Sequence, residues 1–204
     1  MTTFTARLQA AHACNGSRLL LGVAPMIDKL PAAVAKIDDP FLPLGKLIIN
    51  ATRDLVCGYV FHLANYLSIG AAGIVALERT LAYVPQGLLR VIHGPFVGPD
   101  YVRGAYEDAL DAHAVTLLPQ SAADIAPYVA EPSHGAFVPP ESEALAATYP
   151  HSVGVYRAES PTHARISVPG LPDTHWVWGE TVYKTRTIEF EDALRAALEA
   201  LRAL

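Results

Sequence analysis

The run Ile74-Val75-Ala76-Leu77-Glu78-Arg79-Thr80-Leu81-Ala82-Tyr83, set between apolar runs at residues 55–60 and 88–92, decides the fold class. Ile74, Leu77 and Leu81 recur at helical spacing, and Pro85-Gln86-Gly87 breaks the pattern before the next run begins. The flanking runs are short, β-branched or leucine-rich, and bounded by turn residues, so they read as strands. A strand, a helix and a strand joined in this way form the parallel crossover unit of α/β proteins.

Working outward, further short runs lie at residues 19–23, 114–118, 136–138, 153–156, 165–168 and 176–183. Other helical stretches stand between the early ones. Asp100 is placed to cap a helix carrying Val102, Tyr106 and Leu110, and Ser121 with Asp124 three residues later has the form of a capping box. Residues 188–204 end the chain as an amphipathic helix, with Glu189, Glu191 and Asp192 early, Arg195 and Arg202 late, and a stripe of Leu194, Leu198, Leu201 and Leu204. The spacing then shrinks. Residues 157–164 leave only eight positions between the sixth and seventh strands, where a parallel crossover needs about a dozen or more. This predicts a regular βα half followed by an abbreviated half with a hairpin that pairs antiparallel.

Composition narrows the function classes. The chain has 204 residues, 51% hydrophobic and 17% charged, with a formal net charge of −5. That is a single domain with enough apolar material for a core, and no run reaches the ~20 apolar residues of a membrane helix. Scattered basic residues on an acidic chain argue against a nucleic-acid surface. Cys14 and Cys57 alone make neither a disulfide framework nor a cysteine zinc site. No signal peptide is read near the N-terminus, and the expectation is a cytoplasmic protein.

Several stretches resemble the orotidine 5′-phosphate decarboxylase family in its longer bacterial type. They are Leu21-Gly22-Val23-Ala24-Pro25 with Asp28-Lys29-Leu30-Pro31, Asp54-Leu55-Val56-Cys57-Gly58-Tyr59 with Leu63-Ala64-Asn65-Tyr66, Gly70-Ala71-Ala72-Gly73 with the helix after it, Ala114-Val115-Thr116-Leu117-Leu118-Pro119, and Val168-Pro169-Gly170. The likeness covers most of residues 1–130 and fragments beyond. It implies one (β/α)8 TIM-barrel-like domain over residues 1–204, its C-terminal helices abbreviated or missing, with chemistry on the loops at the C-terminal ends of the strands.

The family's charged array is not matched. Where the family has an aspartate before the first-strand proline, this chain has Ala24. Val60-Phe61-His62 stands at Lys-Pro-Asn, and His93-Gly94-Pro95-Phe96-Val97-Gly98 at Asp-Ala-Lys-Arg-Gly-Asp. At the phosphate end, Pro169-Gly170 runs into Leu171-Pro172-Asp173, and Glu180 falls roughly at the family's arginine. The resemblance therefore implies the scaffold without the decarboxylation or the phosphate grip.

What remains for chemistry is histidine-rich. His62 and His93 fall at neighbouring strand exits and are acid–base candidates, with Asp100 as a third catalytic candidate. Tyr59, Asn65, Thr116, Gln120, Trp178, Glu180 and Lys184 are the candidate substrate contacts. Trp176 and Trp178 alternate along one strand and should share a face. A metal at His62 and His93 would need a third ligand, His175 or Glu180, and only if the last loops fold inward, while His134 belongs at the opposite mouth. No metal or cofactor is expected. Two functions stay open: a repurposed lyase, isomerase or cyclase acting on a small phosphate-free substrate, and a non-catalytic dimeric scaffold or accessory subunit. In either case a homodimer is expected, because a barrel short of outer helices should leave strands uncovered.

Overall fold

Eight strands close into one barrel in chain order: β1 (Leu19–Val23), β2 (Gly58–His62), β3 (Leu89–Phe96), β4 (Ala114–Leu117), β5 (Gly135–Val138), β6 (Val153–Ser160), β7 (His163–Ser167) and β8 (Thr174–Val177). The computed structural model describes residues 2–96 and 98–202, so Val97 and Leu204 of the readings above lie outside the described residues. Strands β1 to β6 run parallel and β8 pairs parallel with β1, whereas β7 pairs antiparallel with both β6 and β8. The hairpin expected from the eight-residue spacing is this β6–β7 turn.

Reversal of β7 has a positional consequence. His163 pairs with Val177 and Ile166 with Thr174, so the hairpin tip lies at the mouth where the parallel strands end. Val168-Pro169-Gly170 leaves β7 at the opposite mouth.

The helices are α1 (Phe4–Asn15), α2 (Phe41–Thr52), α3 (Leu63–Leu67), α4 (Ala71–Tyr83), α5 (Ala122–Ile125), α6 (Glu143–Ala146) and α7 (Phe190–Leu201). Leu77 and Leu81 of α4 are buried, as are Leu194 and Leu198 of α7. Helices α5 and α6 are single turns, which is the predicted abbreviation. The Asp124 carboxylate accepts hydrogen bonds from the Gln120 and Ser121 amides at 2.9 and 2.8 Å, as the capping box requires.

Three local expectations fail. The helix after β3 is a 3-10 turn, Pro99–Tyr101, followed by a π turn, Gly104–Asp108. Pro99 takes its first position, so Asp100 lies inside the turn and caps nothing. The run at 55–60 becomes strand only from Gly58. The last strand starts at Thr174 and stops at Val177, because Gly179 turns the chain at φ +62° into a 3-10 segment, Gly179–Thr181.

Alternation along the strands builds two apolar layers. Leu20, Val60, Val91, Ala114, Phe137, Ala164, Ile166 and Trp176 fill the barrel, while Leu19, Leu21, Tyr59, Phe61, Ile92 and Val115 pack outward under the helices. Helix α1 closes the lower mouth. Its Phe4 ring meets Phe137 edge-on and occupies the space beside Gly135, where a Cβ would come within 2.4 Å of it. His12 reaches Thr174 at 2.9 Å, and His134 stacks on Tyr106 at the same end of the barrel, where its place before β5 puts it.

The expectation of bare apolar strands in the short half is also corrected. The outward Val153 and Val155 of β6 are buried in the outer apolar layer with Ala146 of α6, and the outward positions beyond them are polar: Arg157 pairs with Glu143, and Arg165 with Glu159 and Asp173. That face is suited to water and requires no cover.

Candidate active site

Strand β2 ends inward at His62 and β3 carries His93 beside it in register. Their ring centroids are 4.9 Å apart, and Trp176 of β8 closes the group at 5.6 Å from His62 and 4.9 Å from His93. Trp178 lies 4.9 Å from Trp176 on the same side, as the alternation predicts.

A bulge supports this cluster. The β3–β4 register slips between Ile92 and Phe96, and Thr116 of β4 fills the slip. Its hydroxyl donates to the Gly94 carbonyl at 3.0 Å and accepts from the Gly94 amide at 3.1 Å. With that proton committed, the 3.0 Å contact to His93 Nδ1 makes the imidazole the donor and leaves Nε2 as its acceptor. Thr116 is thus a positioning residue for His93.

His62 is held neutral. Burial first, and then the neighbouring His93, push its pKa down to about 4, and burial lowers that of His93 as well. His62 Nε2 and Trp176 Nε1 are both buried without a hydrogen-bond partner. Both lie within 3.4 Å of the point that a Cβ on Gly22 would occupy. Buried polar atoms are nearly always paired, so the unpartnered imidazole nitrogen and indole N–H beside Gly22 single out this corner of the barrel, and His62 also lines the cavity next to it.

A cavity of about 940 Å³ opens beside His62, lined by His62, Asn65, Trp178, Glu180 and Lys184, and also by Lys29, Tyr183 and Arg186. The segment after β8 forms one wall, anchored by the Tyr183 hydroxyl donating to the Gly22 carbonyl at 2.7 Å. Lys29, Lys184 and Arg186 against Glu180 make the wall net cationic.

Six of the ten sequence-derived candidates therefore gather at this mouth: His62, His93, Asn65, Trp178, Glu180 and Lys184. Thr116 stands behind His93. Tyr59 does not join them, because it alternates with His62 and faces outward, where its hydroxyl meets Thr52 at 3.0 Å. Gln120 is exposed beside α5 and contributes its amide to Asp124. Asp100 is exposed on its 3-10 turn. His175 points out of the barrel toward His163 and is no partner for His62. Gly22 and Trp176 were missed as site residues. Strand parity could have found both, since Gly22 and Trp176 alternate with outward Leu21 and Val177.

No family model matches the chain. Among curated relatives, orotidine 5′-phosphate decarboxylase of Thermomicrobium roseum is 30% identical over 142 residues, covering 67% of this chain and 50% of that protein. The enzyme of Herpetosiphon aurantiacus is 33% identical over 121 residues, covering 57% and 45%. The chain thus spans about half the length of the curated relatives it matches. Among solved structures, Leishmania donovani OMP decarboxylase superposes with a TM-score of 0.70 over 98% of this chain and 96% of that one, at 18% identity. Leishmania donovani UMP synthase gives 0.60 over 76% and 39%, at 22% identity. At these identities the structural likeness speaks for the fold. With the sequence similarity beside it, the chain is a divergent relative of the orotidine 5′-phosphate decarboxylases, built on their TIM-barrel fold.

Proposed function

We propose that this protein is a cytoplasmic enzyme of the lyase, isomerase or cyclase type that moves a proton on a small carboxylate-bearing substrate and has lost orotidylate decarboxylation. The observation that carries this reading is the pair of unpartnered buried nitrogens, His62 Nε2 and Trp176 Nε1, beside Gly22, with His62 on the cavity wall. In this reading the carboxylate of the bound substrate raises the His62 pKa from its resting value of about 4, the imidazole takes the proton from carbon, and the indole N–H donates to the oxygen on which charge develops. His93 acts through His62 by keeping a second neutral ring against it. The cationic wall of Lys29, Lys184 and Arg186 favours an anionic substrate.

Two placements support loss of the ancestral reaction. The strand exits carry Ala24, His62 and His93 in place of the Asp/Lys array that the resemblance implies. The Pro169-Gly170 segment, which would grip phosphate, leaves the reversed β7 at the far mouth.

The test is solvent exchange. A panel of small carboxylic acids is incubated with the protein in deuterium oxide and followed by proton NMR. Wild type is expected to wash C–H protons out of at least one acid, and His62→Gln is expected not to. No exchange or turnover with any of them would favour the second reading, a non-catalytic dimeric scaffold or accessory subunit. That reading draws on exposed Met26, Ile27, Leu67, Tyr101 and Leu118, all on segments that follow β1 to β4 at the mouth. A homodimer joined there is compatible with either reading.

A further inference from the structure

Away from the mouth, the outer face of β6–β8 carries a second histidine cluster. Tyr156, Ala164, Ile166 and Trp176 point into the barrel, so Glu159, His163 and His175 point out. Antiparallel pairing brings His163 Nε2 to 3.0 Å from His175 Nδ1, and His163 Nδ1 to 3.3 Å from Glu159 Oε2. One donor atom from each of the three residues lies within 4.8 Å of the others. His175 is buried at the base of the group, His163 is half-buried and Glu159 is exposed, so the cluster opens to solvent on one side.

We propose that Glu159, His163 and His175 bind a divalent transition-metal ion of the zinc class, leaving coordination positions open to water. Two imidazoles and one carboxylate are a donor set that zinc accepts with an open fourth position, and imidazole donors also suit copper and nickel. Bonds of ~2.0–2.2 Å place tetrahedral ligands roughly 3.2–3.6 Å apart, so donors within 4.8 Å of one another gather by a closure of up to roughly 1.2–1.6 Å. Supporting contacts are in place. Arg165 Nε holds Glu159 Oε1 at 2.9 Å, which leaves Oε2 for a single bond to the ion. The charges facing the group are Arg18 and Arg165, balanced by Glu159 and Asp173. The site is separate from His62 and His93, which lie inside the barrel.

Cobalt(II) reports on it directly through the visible d–d absorption of a tetrahedral site. Titration of the whole protein with cobalt(II) alone is expected to give one bound ion per chain, displaced by zinc. His163→Ala should abolish the signal. Glu159→Gln, at an exposed position that folding does not need, should weaken binding by at least ~10-fold. His93→Ala should leave it unchanged. No d–d absorption in wild type, or equal binding by wild type and Glu159→Gln, would overturn the proposal. Loss of the signal in His93→Ala alone would overturn it too, by moving the ion to the barrel mouth.

Discussion

Thr116 of β4 holds His93 of β3: the threonine hydroxyl spends its proton on the Gly94 carbonyl and receives the Nδ1–H of the imidazole at 3.0 Å. One buried hydroxyl thereby satisfies the bulge and sets the tautomer of the ring beside His62. Thr116→Val keeps the shape and removes these bonds, leaving the Gly94 groups and His93 Nδ1 unpaired. A loss of ~1–3 kcal/mol in urea unfolding is expected. An unchanged midpoint would show that the bulge is held without it.

Decarboxylation of orotidine 5′-phosphate is expected to be absent, and uridine 5′-phosphate to bind weakly. Losing a guanidinium–phosphate pair and its amide nest, with Glu180 on the cavity wall, should cost on the order of a thousandfold in affinity. Turnover by protein purified free of host enzyme, or micromolar affinity by calorimetry, would contradict both the proposed function and the part assigned to the reversed β7.

Gly22→Ala tests the close packing around the two unpartnered nitrogens. Its Cβ would stand 2.7 Å from Trp178 Cβ, 3.0 Å from Trp176 Nε1 and 3.4 Å from His62 Nε2. The indoles must shift, so a destabilisation of ~1–3 kcal/mol is expected, with loss of any exchange activity seen in wild type. A variant as stable and active as wild type would mean that the substrate sits elsewhere in the cavity.

Stability should fall with acidification. Burial lowers the pKa of His62 to about 4, that of His113 to about 3, and those of His12, His93, His134 and His175 as well. Each ring is protonated more readily in the unfolded chain, whose histidines titrate near ~6.5. Stability is therefore complete above about pH 6.5 and is lost as the pH drops toward 4. The share of His62 is at most roughly 3 kcal/mol. Denaturation midpoints measured from neutral pH down to about pH 5 should decline, and His62→Gln should flatten part of the slope. A flat profile in wild type would show these rings to be solvated.

The barrel was legible because periodicity and spacing both carry it. The hairpin followed from the eight residues between the runs at 153–156 and 165–168, and His62 and His93 from their places at adjacent strand ends. What stayed hidden depends on facing and register. Tyr59 and His62 share a strand, yet odd separation sends them to opposite sides. The pairing of His163 with His175 needs the antiparallel register of β7 with β8. Asp100 has the right residue type for a cap but sits two positions too late, behind Gly98 at the cap and Pro99.

The homodimer is expected to join mouths rather than barrel sides. A 51% hydrophobic chain with a short outer ring suggested that strands beside β6 and β7 needed a partner's cover, but Arg157, Glu159 and Arg165 make that face polar. Exposed apolar side chains instead follow the C-terminal ends of consecutive strands: Met26 and Ile27 after β1, Leu67 after β2, Tyr101 after β3 and Leu118 after β4. Exposed apolar side chains gathered at one end of the barrel suit an association site. A lasting contact would bury more than ~2,000 Å² in total, enough to draw in these segments and shield the mouth cavity from bulk water. Sedimentation at sub-micromolar concentration should give a dimer. Leu67→Glu together with Leu118→Glu should give a folded monomer, since neither side chain supports the core. Wild-type protein that sediments as a monomer at tens of micromolar would leave the apolar rim to the substrate alone.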